Sequence, residues 1–143
     1  MARGTHSPFK PLWVLFLILC GVSAVTIASK LMQAKEIVPW RTDLATAREE
    51  AKRDSKPLLL YFTASWCGPC QEMKHITWSD SAVEMKLRNY VPLKVDIDAN
   101  QALAQQYGID GIPAFVLLDK EGNVDKRTDG LMEPMQFLAW LEG

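Results

Sequence analysis

The sequence predicts an α/β domain whose central mixed sheet is flanked by helices on both faces, preceded by a hydrophobic N-terminal helix. Three observations carry this prediction. From residue 42 onward, apolar runs of strand length alternate with stretches of helical periodicity. The turn chemistry of Asp119-Lys120-Glu121-Gly122 folds two strands into a hairpin before a last helix. Leu12–Ala28 contains no charged residue in 17 positions.

Each element has a local reason. Thr42 or Asp43 can cap a helix running to about Ser55, with Leu44, Ala47 and Ala51 recurring on one side. Lys56-Pro57 stops it, and Leu58-Leu59-Leu60-Tyr61-Phe62 follows as a strand apolar on both faces. A helix is expected from Cys67 to about Ile76, and a second from Asp80 or Ser81 to about Asn89. Val91–Asp96 reads as the next strand. Asn100 is placed to cap a short helix that ends at Tyr107-Gly108. Ala114–Leu118 and Val124–Thr128 form the hairpin, and Glu133–Leu141 closes the chain as a helix. Uninterrupted alternation leaves no sign of an internal repeat. The domain boundaries expected are 1–28 for a leader or anchor, 29–40 for a connector and 41–143 for the α/β domain.

Composition excludes several functions. The 143 residues carry 16 basic and 17 acidic side chains, so the basic stripe that phosphate binding needs is lacking and nucleic acid is not an expected partner. At 48% hydrophobic residues the chain is too apolar for disorder. Three cysteines are too few to staple a small scaffold, and the odd one, Cys20, lies inside the apolar run. As a helix that run would span roughly 26 Å, close to the thickness of a bilayer core. Arg3 and Lys10 precede it, so it fits either a signal peptide or a single transmembrane anchor. Leu19 stands where a lipoprotein signal needs a small residue, which argues against lipidation of Cys20. Positive charges on both flanks leave the orientation open by count. A short basic head before an apolar run is the pattern of export, which places the domain outside the cytoplasm. Without residues 1–28 the chain keeps 14 basic and 17 acidic residues, a poor match to an anionic lipid surface.

The chemistry lies in Trp66-Cys67-Gly68-Pro69-Cys70. The pair follows a buried strand and opens a helix. There the unpaired backbone N–H groups and the positive dipole end favour a thiolate on Cys67. Pro69 is tolerated because its missing N–H would have no partner in the first turn. Two intervening residues let Cys70 reach back to a mixed disulfide on Cys67. Half of a zinc site would need two further ligands, and only His75 is near in sequence, so no metal site is expected.

These residues resemble the thioredoxin family, from about Ile37 to the end of the chain. Trp66–Cys70 is identical to that family's active-site motif, and Gly111-Ile112-Pro113 resembles its cis-proline loop. The resemblance implies the thioredoxin fold. It also implies a cis bond before Pro113 and a substrate groove formed by Gly111, Ile112, Pro113 and Gly130. Trp66 is then expected to act as a lid on the reactive sulfur. The opening Trp40…Ala47…Lys56-Pro57 and the stretch Thr77-Trp78-Ser79-Asp80 are similar to thioredoxin-like domains of periplasmic disulfide-exchange proteins. One departure matters. Where the family has a buried aspartate six residues before the first cysteine, this chain has Tyr61, although Lys94 matches the neighbouring lysine. Tyr61 and Lys94 are therefore the expected proton-transfer neighbourhood, and a tyrosine of ordinary pKa is a poor base at neutral pH.

The resemblance implies a protein-disulfide reductase or exchange enzyme with no cofactor, in which Cys67 attacks and Cys70 resolves. Its expected partners are disulfide-bearing proteins and a thiol electron donor such as a membrane thiol relay. A monomer is expected, either held in a bacterial inner membrane facing the periplasm through Leu12–Ala28, or free in the periplasm or secreted if the leader is removed. The alternative is a Cu(I) carrier or client-holding module in metalloprotein or cytochrome assembly, with Met73 and His75 as the nearest supplementary ligands.

Overall fold

The computed structural model describes residues 35–143, together with Val14, Phe16 and Ile18, which are helical. The rest of the hydrophobic run, including Cys20, lies outside the described residues, as does the expected cleavage of a leader. Among the described residues no helix is long and apolar enough to cross a membrane.

Helix α1 spans Leu44–Asp54 and starts where the Asp43 carboxylate accepts the Thr46 backbone N–H at 2.8 Å. It ends at Ser55, the single described non-glycine residue with positive φ, at 51°. Strand β1 (Leu58–Thr63) is buried along its whole length, as its unbroken apolar run requires. Helix α2 covers Gly68–Ile76 and α3 covers Ser81–Leu87, the latter capped by Asp80, which accepts the N–H groups of Ala82 and Val83. Strand β2 (Val91–Asp96), helix α4 (Gln101–Gln106), strands β3 (Ala114–Leu118) and β4 (Val124–Asp129), and helix α5 (Pro134–Glu142) complete the order. Asn100 precedes α4, but its side chain makes no cap bond; its amide donates to the Asp96 carbonyl instead.

The sheet order is β2-β1-β3-β4, with β1 parallel to β2 and antiparallel to β3. The parallel pair needs a crossover, which α2 and α3 supply. Alternation along β1 divides the core in two. Leu58, Leu60 and Phe62 pack with Ala47, Ala51 and the inward residues of β2 on one face. Leu59 and Tyr61 join Met73, Trp78, Phe115 and Phe137 on the other. The edge strand β4 carries Asp125, Lys126, Arg127 and Asp129, charges that discourage edge-to-edge pairing. At the opposite edge, the Arg41 backbone bridges to Leu93, donating to the Pro92 carbonyl and accepting from Lys94, each at 2.8 Å.

Ser55 holds a left-handed conformation that costs an L-residue about 1 kcal/mol and a glycine almost nothing. Ser55→Gly is expected to raise stability by about 0.5–1 kcal/mol in urea titration of the disulfide form. An unchanged or lower midpoint would show that the αL turn is not strained.

Candidate active site

β1 delivers the cysteine pair to the carboxyl end of the sheet. After Thr63 the chain turns through Ala64, whose carbonyl accepts the Cys67 N–H at 3.3 Å. Cys67 is the N-cap residue of α2, and its sulfur accepts the Cys70 backbone N–H at 3.2 Å. The helix therefore begins one residue later than the sequence reading placed it, and the sulfur itself does the capping. Gly68 and Pro69 form the first turn, which leaves both cysteines on one side of the helix start. They are joined as a disulfide with their Cα atoms 5.3 Å apart. A thiolate left on Cys67 after reduction would face that N–H and the helix dipole, which stabilise negative charge.

The pair is 3% and 2% exposed and packs with Ala64, Ile97 and Ile112. Ile112 reaches it from the loop before β3, where the Ile112–Pro113 peptide bond is cis. The Pro113 carbonyl accepts the Gly130 N–H at 2.8 Å, so the loops before β3 and after β4 are pinned together beside the cysteines. Gly130 has φ of 94°, a conformation that favours glycine. Gly68 and Gly111 both have open space where a Cβ would stand. Trp66 is 66% exposed, and its indole N–H donates to Asp98 at 2.9 Å. Ala64, Ile97 and Ile112 form one apolar cluster with the pair, and the Trp66 indole beside Cys67 is hydrogen-bonded to Asp98.

Behind Cys70 opens a cavity of about 400 Å³ lined by Tyr61, Thr63, Cys70, Lys74, Lys94 and Asp96, among others. It brings the two residues of the expected proton-transfer neighbourhood, Tyr61 and Lys94, to the same space as the second cysteine. Tyr61 stacks on Phe115 with an interplanar angle of 6° and touches Trp40 and Trp78. Burial pushes its hydroxyl above the ordinary tyrosine range. It is therefore a still poorer base than a solvated tyrosine. Lys94 lies over the Trp40 ring, and its ammonium is held by both carboxylate oxygens of Glu36, at 2.7 and 2.9 Å.

Glu36 and Asp98 were not singled out by sequence. Glu36 sits in the connector with nothing periodic around it, and each meets its partner only through the fold, at separations of 58 and 32 positions. Met73 is buried in the aromatic half of the core, three residues after Cys70 on α2, and His75 lies on the exposed side of that helix. Among the described residues no group of three His, Cys, Asp or Glu side chains is placed to hold a metal ion.

Comparison with known proteins agrees with this geometry. Residues 44–143 match the family model described as a thioredoxin-like domain. The thiol:disulfide interchange protein DsbD of Yersinia pestis is 34% identical over 98 residues, 64% of this chain. The match covers 16% of that protein's length, so the chain spans about one sixth of such relatives. Among solved structures, the oxidised C-terminal domain of Neisseria meningitidis DsbD superimposes with a TM-score of 0.61 at 26% identity, covering 72% of this chain and 97% of that one. A thioredoxin from Thermus thermophilus does so with 0.66 at 28%, covering 73% and 85%.

The Tyr61 environment has a pH signature. Its pKa is raised on folding, so its contribution to stability is complete below the unfolded value of about 10 and is lost as pH rises past it. The disulfide form is expected to lose stability on alkaline titration above about pH 10, and Tyr61→Phe to lose less over the same range. Parallel curves for the two proteins in denaturant titrations between pH 8 and 11 would contradict the assignment.

Proposed function

Because the chain belongs to the thioredoxin-like family and is a thiol–disulfide oxidoreductase, we propose that it reduces or exchanges disulfides of partner proteins outside the cytoplasm. One observation carries this reading. The Cys67 sulfur sits at the N-cap of α2, with the Cys70 N–H at 3.2 Å and the Ile112–Pro113 loop packed against it. That arrangement suits a nucleophile which must meet an extended chain.

The reaction runs in two exchanges. The Cys67 thiolate attacks one sulfur of a client disulfide, breaks that S–S bond and forms a mixed disulfide, releasing the first client sulfur as a thiolate. Cys70 then loses its proton and attacks the Cys67 sulfur. The Cys67–client bond breaks, the Cys67–Cys70 disulfide forms, and the second client thiolate departs. The client gains two electrons and the cysteine pair loses them. The groove beside the pair is assigned to Gly111, Ile112, Pro113 and Gly130, with Trp66 on its rim. Backbone groups of the Ile112 loop would pair with an extended client segment.

Gly68-Pro69 between the cysteines resembles the reducing members of the family, which favours reduction as the direction. A reductase in an oxidising compartment must be recharged, so a membrane thiol relay is the expected electron donor. The similarity to DsbD, named for thiol:disulfide interchange, supports such a chain of exchanges. Residues 1–28 serve as a single anchor or a cleaved leader and place the domain on the periplasmic side of a bacterial inner membrane, or in the periplasm itself.

Cys70→Ser in the native host is expected to accumulate covalent complexes through Cys67 that dissolve in dithiothreitol, while Cys67→Ser yields none. Insulin reduction should be lost in both variants. Trapping by Cys67→Ser in place of Cys70→Ser would invert the assigned roles, and trapping by neither would remove the exchange reading.

A further inference from the structure

We propose that Glu36, in the connector that precedes the domain, is the terminal proton acceptor for Cys70, acting through Lys94. The inference rests on the two-exchange reading above and concerns only its second step.

Cys70 has to lose a proton before it can resolve the mixed disulfide, since the thiolate is the nucleophile. The titratable side chains facing the cavity behind it are Tyr61 from β1, Lys74 from α2, and Lys94 and Asp96 from β2. Tyr61 is excluded as a base by its buried aromatic surroundings. Lys74 and Asp96 are exposed to solvent. Lys94 is partly buried and is the one cationic group there with a paired carboxylate, at 2.7 Å. The Glu36 side chain is only 15% exposed and gives both of its oxygens to the Lys94 ammonium.

The position of Glu36 is built, not incidental. The next residue, Ile37, donates its N–H to the Trp78 carbonyl at 2.8 Å. Val38 is buried in the aromatic half of the core, and the Trp40 ring packs against both Tyr61 and Trp78. Arg41 then bridges to β2, and its guanidinium pairs with Glu50 of α1. Four consecutive attachments hold the connector along the sheet edge. They place a carboxylate on Lys94 from a segment that precedes the family-matched residues 44–143.

The proton balance closes within this set. As the Cys70 thiol ionises, Lys94 passes one ammonium proton to Glu36 and takes up the thiol proton. The result is a Cys70 thiolate, an ammonium on Lys94 and a neutral Glu36 carboxyl. Cys70 attacks the Cys67 sulfur, the client thiolate leaves, and Glu36 returns its proton to solvent. A purely electrostatic role makes the opposite prediction. There Glu36 merely neutralises Lys94, and removing it would leave a bare ammonium that lowers the Cys70 pKa and speeds resolution.

The test is rapid mixing of the reduced full-length protein with a peptide disulfide, which resolves mixed-disulfide formation from client release. Glu36→Gln is expected to leave the first phase unchanged. It should slow release about tenfold at pH 7, within the range of a lost general base, and make it rise steeply with pH towards the free-thiol range. Glu36→Asp, which keeps the carboxylate, should recover much of the rate, separating proton transfer from a folding defect. Release by Glu36→Gln that is unchanged or faster, or that Glu36→Asp fails to restore, overturns the proposal while leaving the exchange reading intact. Absence of any mixed disulfide in the unsubstituted protein overturns the exchange reading itself.

Discussion

The burial of β1 on both faces is the constraint on which the rest depends. All six of its residues pair with β2 on one side, Leu58 to Phe62 pair with β3 on the other, and they give alternate side chains to the two halves of the core. A strand so enclosed cannot slip register, because a shift of one residue would exchange Phe62 and Tyr61 between two differently shaped half-cores. Its carboxyl end is therefore a fixed point. Cys67 follows four residues beyond Thr63, and the Cys67 N–H bond to Ala64 carries that fixity into the first turn of α2. The reactive sulfur is placed by the middle of the sheet, although it lies at its rim.

The same logic governs the rest of the site. The loop bearing Ile112 and Pro113 leads into β3, the other neighbour of β1, and Gly130 follows β4, the partner of β3. Lys94 stands opposite Tyr61 in the parallel register, one strand over from the cysteine pair. Every part of the candidate site is thus within one strand spacing of β1 or of its immediate partner. No part depends on a long flexible loop, which suits chemistry that requires sulfurs to meet in line.

What the sequence disclosed follows the same division. Periodicity identified β1, the helices and the hairpin because each has a one-dimensional signal: an apolar run, a capping aspartate, a turn tetrapeptide. The cysteine pair was legible because its spacing and its place between strand and helix are local. Contacts across the fold were not. The pairing of Trp66 with Asp98 is one such contact, and no spacing rule connects those positions. Asn100 had the right side chain for a cap, but its amide donates to the Asp96 carbonyl and its oxygen accepts no N–H of the helix. Glu36 read as one charge among several in a connector, since its partner is 58 positions away.

Tyr61 and Glu36 are best understood together. A carboxylate at position 61 would lie among Trp40, Trp78 and Phe115, where an unpaired charge is costly and a ring packs well. The stacked Tyr61 and Phe115 rings instead join β1 to β3 across the aromatic half-core, and Trp40 extends that cluster to the connector. Packing at position 61 thereby anchors the segment that bears Glu36. The carboxylate is moved from the core to its margin, where Lys94 pairs with it and solvent can still reach the pair. A charge held there costs less desolvation than one inside the aromatic cluster. It stays coupled to Cys70 only so long as the connector remains docked. Stability of the aromatic half-core and competence of the second cysteine are then properties of one set of contacts. A change that loosens Trp40 should affect both.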